Sequence, residues 1–555
     1  MRRTAALLLA FVYLFGTGFQ PVSAAGLDDI PSASVGSGFS EKWPTPQWSL
    51  SAIRGYKPLA PGKVGQGDHP LCSSATDPHC ADSTNILADL VVPPCYRATD
   101  RFCIEGLEIG IEGQSVQPAS LSREMKSGAT PADTKLGLPA GGSASLWSAP
   151  LKHQGGTGEY AVVVTGSYSK SKDAAEFSAF RFQAHVYPVT QKSGKYCSYE
   201  IYEVIDQFGE QNTSSRLTGN DCTSPAYGEC ILTEAGFCIQ PAELQPNTRV
   251  ALSLRMDNKV TGWIFGRMKD VAMKTTALDP KHNLLRVEAT SLNLMSAKAW
   301  VKKADAKNYS LLWENITTKW FLIKKEFDDW LASSGSSWGD MNPVGSFEQF
   351  AMWEPLLKPE AKDNWRWNFA ASNYNIANSD TCLDKVGRDK IVGLVTTNAP
   401  IYDGGAPRFV DGFLQYKVAG LHRNADDSLF KGTYDMVIRS DFARCLYGFS
   451  SAPLSATVSI IAADGSTQNV ATENVNERDG WIYLIARNFT FSSPTMKVKL
   501  QQDQPASAVK PAVAPKPTSA PKPVAKKVTI TCVKGKTIKR VTAVKPTCPS
   551  GFRRA

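Results

Sequence analysis

Twelve cysteines, Cys72, Cys80, Cys95, Cys103, Cys197, Cys222, Cys230, Cys238, Cys382, Cys445, Cys532 and Cys548, all follow an apolar leader, and no two are closer than eight residues. Zinc ligands cluster more tightly, as paired cysteines two to four residues apart or with histidine. An even, widely spaced set behind a leader reads instead as disulfides formed outside the reducing cytoplasm. Spacing leaves the connectivity open. Sequential neighbours are the simplest guess, namely Cys72 with Cys80, Cys95 with Cys103, Cys382 with Cys445 and, alone in its own segment, Cys532 with Cys548. Each closed loop stabilises the fold by roughly 2 to 4 kcal/mol.

The leader has a positive start, Met1-Arg2-Arg3-Thr4, an apolar run from Ala5 to Phe15, and small residues, Val22-Ser23-Ala24, before Ala25. That layout predicts a secretory signal peptide over 1–25. A membrane-spanning helix needs roughly 20 apolar residues, and this run breaks at Gly16-Thr17-Gly18. No later stretch is long and apolar enough. The expected product is secreted, located at the cell wall or cell surface, and without a transmembrane segment after cleavage.

Charge divides the chain further. The formal net charge is +9, yet residues 501–555 hold 12 basic residues against one acid, Asp503, and Arg2 and Arg3 carry two more positive charges. The remaining body has 47 basic and 51 acidic residues, so it is faintly acidic. Any attraction to a polyanion therefore belongs to the C-terminal stretch from Gln501 to Ala555.

Apolar patterning gives the architecture. Residues 26–65, rich in Gly, Ser and Pro, read as an extended arm. Over 66–300, Phe180, Phe182, Ala184 and Val186 alternate with Arg181, Gln183, His185 and Tyr187, and Val250, Leu252, Leu254 and Met256 alternate with polar neighbours. Period two predicts half-buried strands, with His185 on a solvent-facing side. Between 311 and 331 the period changes: Trp320, Ile323, Phe327, Trp330 and Leu331 recur at three and four, which predicts an amphipathic helix in a tryptophan-rich insert, 301–378. Strands return over 379–500, where Asp464-Gly465 marks a hairpin and Trp481, Tyr483, Met496 and Val498 lie on alternating runs. Two echoes recur: a Phe-Cys-Ile closing an eight-residue step at Cys95–Cys103 and Cys230–Cys238, and Gly-Trp-Ile at Gly262 and Gly480. The predicted fold class is mainly β: two or more disulfide-stapled β-sandwich-like domains with a helical insert. Within residues 501–527, the stretch from Asp503 to Lys527 carries regular prolines and no aromatic residue, so it forms a disordered, stiff linker of about 75 Å at roughly 3.1 Å per residue. A basic disulfide module, 528–555, closes the chain.

Catalytic motifs are scarce. The chain has no His-Glu-x-x-His, Gly-x-Ser-x-Gly or Gly-x-Gly-x-x-Gly between strand and helix, and Gly535-Lys536-Thr537 lacks the first glycine of a phosphate loop, Ile530 standing in its place. Ser167 and Lys170 match Ser-x-x-Lys without its partner motifs, and His69 and His79, beside Asp68 and Asp77, are as easily surface residues as metal ligands. No catalytic residue, cofactor or metal is assigned. Trp313, Trp320, Trp330, Trp338, Trp353, Trp365 and Trp367 crowd a single stretch of the insert among carboxylates such as Glu354, Glu360 and Asp363. Tryptophan faces stack on sugars, so Trp338, Trp353, Trp365 and Trp367 are candidate glycan-stacking residues, in a carbohydrate-binding or carbohydrate-hydrolysing reading whose plain rival is core packing.

Lys534, Lys536, Lys539, Arg540, Lys545, Arg553 and Arg554 surround the last two cysteines without an acid among them, a candidate polyanion site on a stalk. Nucleic acid is not expected outside the cytoplasm; an anionic cell-wall polymer or envelope surface is. The run Ile530-Thr-Cys532-Val-Lys-Gly-Lys, followed by Val541-Thr-Ala-Val-Lys-Pro546-Thr-Cys548-Pro-Ser-Gly-Phe552, resembles a short C-terminal module that follows Pro/Ala/Lys-rich linkers on many secreted actinobacterial proteins. The resemblance covers only the stretch from Ile530 to Phe552, a small part of the chain. It implies export and an envelope-related tail, and carries over no activity. The leading expectation is a non-enzymatic exported surface protein held at the envelope by this module.

Overall fold

The computed structural model describes residues 34–41, 43–58, 67–126, 128–206, 209–226, 228–302, 305, 308, 347, 350–372, 381–450, 454–461, 467–470, 474–491, 495–502, 528–535 and 537–555. The leader, the predicted helix 311–331, Trp338, the linker and Lys536 lie outside them. The chain forms two compact units, Met1–Asp503 and Gln504–Ala555. Both are β structures stapled by disulfides.

In the first unit a long central sheet runs, in spatial order, through Leu71–Cys72, Ala52–Tyr56, Asn85–Val91, Glu159–Ser171, Ser178–Ser193, Asn368–Ser372, Gly262–Arg267, Ile391–Thr397, Gly432–Arg439, Trp481–Phe489 and Asn474–Arg478. The stretches 66–300 and 379–500 thus meet inside one sheet. Their junction is the parallel pair Gly262–Arg267 with Ile391–Thr397. Part of the expected arm joins the same sheet as Ala52–Tyr56, and the tryptophan-rich segment, helical around Phe350–Leu356, goes on to insert Asn368–Ser372 at its centre.

Side chains on the central strands alternate between two cores. Trp263, Phe265, Val395, Met436 and Ile438 face one side, where Leu414, Tyr416, Met496 and Val498 of a six-stranded sheet pack on them. Ile264, Leu394, Val437 and Tyr483 face the other, against Leu252, Leu254, Leu285 and Val287 of a five-stranded sheet. Buried on both sides, these strands read as nearly continuous apolar runs such as Ile391-Val-Gly-Leu-Val395. Gly393 lies opposite Trp263 in register, where a Cβ would come within 2.3 Å of the indole.

The predicted alternations hold, with one local change. Val250, Leu252, Leu254 and Met256 are buried, as are Phe182, Ala184 and Val186, but a β-bulge between Ala179 and Arg181 takes Phe180 out of the pattern. Leu454–Ile461 pairs antiparallel with Thr467–Val470, flanking the Asp464-Gly465 turn signal. Gly262 and Gly480 each open a strand of the central sheet with a positive φ, 79° and 78°, which explains the Gly-Trp-Ile echo.

The cysteines pair as sequential neighbours throughout: the four guessed pairs, together with Cys197–Cys222 and Cys230–Cys238. In both halves of the cysteine echo the second cysteine enters a strand, Cys103–Ile111 or Phe237–Pro241.

A buried polar cluster crosses the central sheet beside its junction. Arg267, with its side chain 1 % exposed, pairs with Glu41 at 3.2 Å, donates to the carbonyls of Thr397 and Pro400 and lies 4.1 Å from the Tyr402 ring centre; Asn368 also donates to Glu41. Satisfied from several sides, this charge is tolerated in an otherwise apolar layer.

Candidate functional site

In the C-terminal unit Val528–Lys534 is the middle strand, flanked by Thr537–Ala543 and Arg553–Arg554. β-branched residues fill it, and Gly535, at a φ of 59°, turns the chain between the first two strands. Cys532 is opposite both Lys539 and Arg554, while Val533 is opposite Ile538 and Arg553, and Thr531 opposite Arg540. Alternation therefore sorts the charges. Lys534, Lys539 and Arg554 share the face of buried Ile530 and Cys532, and the Lys539 ammonium sits 5.3 Å from the Phe552 ring centre. Arg540 and Arg553 share the other face with Thr529, Thr531, Thr542 and an exposed Ile538. Lys534, Lys539, Arg540, Lys545, Arg553 and Arg554 are all exposed. With no carboxylate side chain after Asp503, their charges are open to an outside anion.

The tryptophan candidates fare differently. Trp353 and Trp367 are each 1 % exposed. Trp353 is packed in the first core; Trp367 lies in the second, edge-on to Phe369 and donating its indole N–H to the Ala289 carbonyl at 3.2 Å. Their ring faces are taken, so neither can stack on a sugar; this corrects the expectation for both. Trp365 is half-buried against the second core. Of the nearby acids, Glu360 pairs with Lys298 and Lys362, and Asp363 accepts from Asn293 and Gln154.

Other sequence candidates are engaged in structure. Ser167 and Lys170 are three residues apart on one strand and point to opposite faces, so the acylating pair does not assemble. His79 bonds Glu203 at 2.9 Å and Gln211 at 3.1 Å, tying the Cys72–Cys80 loop to the hairpin of Tyr199–Ile205 and Gln211–Leu217. Asp77 accepts from Ser73 and from the His79 backbone, which holds its carboxyl down to about 2.

Sequence reasoning missed a cavity of about 300 Å³ on the polar face of the central sheet. Its floor is built by Arg54, Asp89, Thr165, Ser167, Arg181, Gln183 and His185, drawn from four adjacent strands; Pro44, Gln47 and Trp48 wall it on one side and Ile201 on the other. Arg54 forms an ion pair with Asp89, which also accepts from Ser167 Oγ at 2.7 Å. The Gln183 amide oxygen accepts from Arg181 Nε at 3.0 Å and Nη2 at 2.7 Å. His185 stacks on Tyr187, ring centres 5.3 Å apart. Burial pushes its imidazole down to about 4, Arg181 adding to the effect and Glu41 opposing it. At neutral pH His185 is uncharged, so the expected solvent-facing histidine is instead part of a cavity floor. The alternation of Arg181, Gln183 and His185 was visible in sequence; the wall that covers them, far upstream at Pro44, Gln47 and Trp48, was not.

No helix among the described residues is long and apolar enough to cross a membrane. Compared with known proteins, the chain matches no protein-family model, no curated sequence and no solved structure.

Proposed function

We propose that this chain is a non-enzymatic exported protein, held at the cell surface by its C-terminal module binding an anionic wall polymer. One observation carries the reading: a small disulfide-closed sheet exposes Lys534, Lys539, Arg540, Lys545, Arg553 and Arg554, and no acidic side chain lies within 504–555. The six disulfides suit an oxidising compartment. Guanidinium groups on an uncovered sheet face can grip phosphate or carboxylate groups of a polymer in several registers. Such binding tolerates an irregular ligand and is screened by salt.

The test is co-sedimentation of the full chain with purified cell walls and with isolated teichoic acid. Binding should fall at least about tenfold as ionic strength rises from roughly 0.05 to 0.5 M, because the Debye length shrinks severalfold. Replacing Lys539, Arg540, Arg553 and Arg554 by glutamine should have a comparable effect at low salt. Wall binding that survives both changes would refute the attachment role.

A further inference from the structure

We propose that the cavity on the central sheet is a second, separate ligand site, which takes an acidic sugar: a pyranose ring bearing a carboxylate. Its charge is the first ground. Arg54 is neutralised by Asp89, but Arg181 is held only by the neutral Gln183 amide, and among the described residues no carboxylate pairs with it. A half-buried guanidinium with a neutral partner leaves the cavity one positive charge to be matched by a ligand.

Polar groups are set out across the floor in a pattern that fits a ring. Asp89 is in register with Ser167, and Ser167 with Arg181, so Arg181 stands two strands from Asp89, roughly 10 Å along the sheet. A six-membered ring with its substituents spans such an interval. Its carboxylate then meets Arg181, and its far hydroxyls meet the Arg54–Asp89–Ser167 group, which offers both donors and acceptors.

The rim supplies the third ground. Trp48 lines the opening and is 45 % exposed. The exposed part of its indole is apolar surface at the opening, against which the C–H side of a sugar can rest, whereas Trp353 and Trp367 are buried. The volume is at the lower end for small-molecule sites, suited to one or two sugar units.

The experiment is calorimetric titration of the full chain with glucuronate and galacturonate, alongside glucose and acetate. Saturable uronate binding, at least tenfold tighter than for either control, is expected. Arg181→Gln should weaken it about tenfold or more, with Arg181→Lys recovering part of the loss. Trp48→Ala, at the exposed rim, should weaken it severalfold without altering the circular dichroism, so a misfolded Arg181 variant does not decide the matter. The C-terminal variant lacking Lys539, Arg540, Arg553 and Arg554 should bind uronate unchanged, which separates this site from the proposed wall attachment. Equal affinity for acetate, equal affinity for glucose, indifference to both cavity variants, or loss in the C-terminal variant would each overturn the proposal.

Discussion

His185 shows how much one residue's setting differs from its sequence context. An unfolded chain takes up a proton on such a histidine near 6.5, whereas the folded protein resists it down to about 4, because burial penalises the imidazolium. Between those values the unfolded state holds more protons, so acidification favours unfolding. The contribution is absent above pH 6.5 and grows to at most about 3 kcal/mol of lost stability as pH falls through 4. His69 and His153 are lowered by burial too, and buried acids such as Asp257 and Asp435 are raised and act in the opposite sense. The clean measurement is therefore the difference between wild type and His185→Gln in urea unfolding, at pH 7 and at pH 4.5. The variant should lose less stability on acidification; identical pH slopes would show that the histidine is not coupled to folding. Strict alternation from Arg181 to Tyr187 gave the strand and sorted its faces, but period two says only which residues share a side. What covers that side, Pro44 to Leu50 and Ile201, is a tertiary fact with no local signal. The tryptophans illustrate the same limit: density of indoles along the chain is the same whether they stack on sugar or fill a core, and Trp353 and Trp367 fill cores.

At the scale of elements, the presence of disulfides was legible from the even, widely spaced cysteines, whereas their connectivity was a guess for four pairs, which the structure bears out. They do not stabilise equally. Cys95–Cys103 spans eight residues and Cys382–Cys445 spans 63, joining the helices Thr381–Val386 and Ser440–Tyr447. If cross-linking acts through the entropy of the unfolded chain, the longer loop is worth about 4 kcal/mol and the shorter about 2.5 kcal/mol. Replacing both cysteines of each pair by serine and comparing denaturant midpoints at constant slope tests that ordering. A larger loss from the Cys95–Cys103 pair would mean that local packing, not chain entropy, sets the contribution. The basic C-terminal module was also legible as a separate segment, since the composition changes abruptly after Asp503 and one cysteine pair stands alone there; its three strands were not read from the sequence. The strand Asn368–Ser372 was not legible: it ends a segment whose strongest local signal is helical, and its two neighbours, Ser178–Ser193 and Gly262–Arg267, lie far upstream in the chain.

At the scale of the whole first unit, the central sheet ties the two ends of the body together. Leu394 and Ile438 are both fully buried on neighbouring strands, yet Leu394 belongs to the core beneath the five-stranded sheet and Ile438 to the core beneath the six-stranded one. Were the halves separate domains, a cavity in one core would lower one transition and spare the other. A shared sheet forbids this, because loosening either core removes the support of strands whose other face holds the second core. Leu394→Ala and Ile438→Ala should each cost about 2 to 5 kcal/mol, and each should shift the same single calorimetric transition of the body, with the calorimetric and van't Hoff enthalpies agreeing in all three proteins. Separation of the melt into two steps in either variant, with only one step moved, would show that the parallel junction between Gly262–Arg267 and Ile391–Thr397 does not transmit stability, and that the two cores fold independently despite the sheet they share.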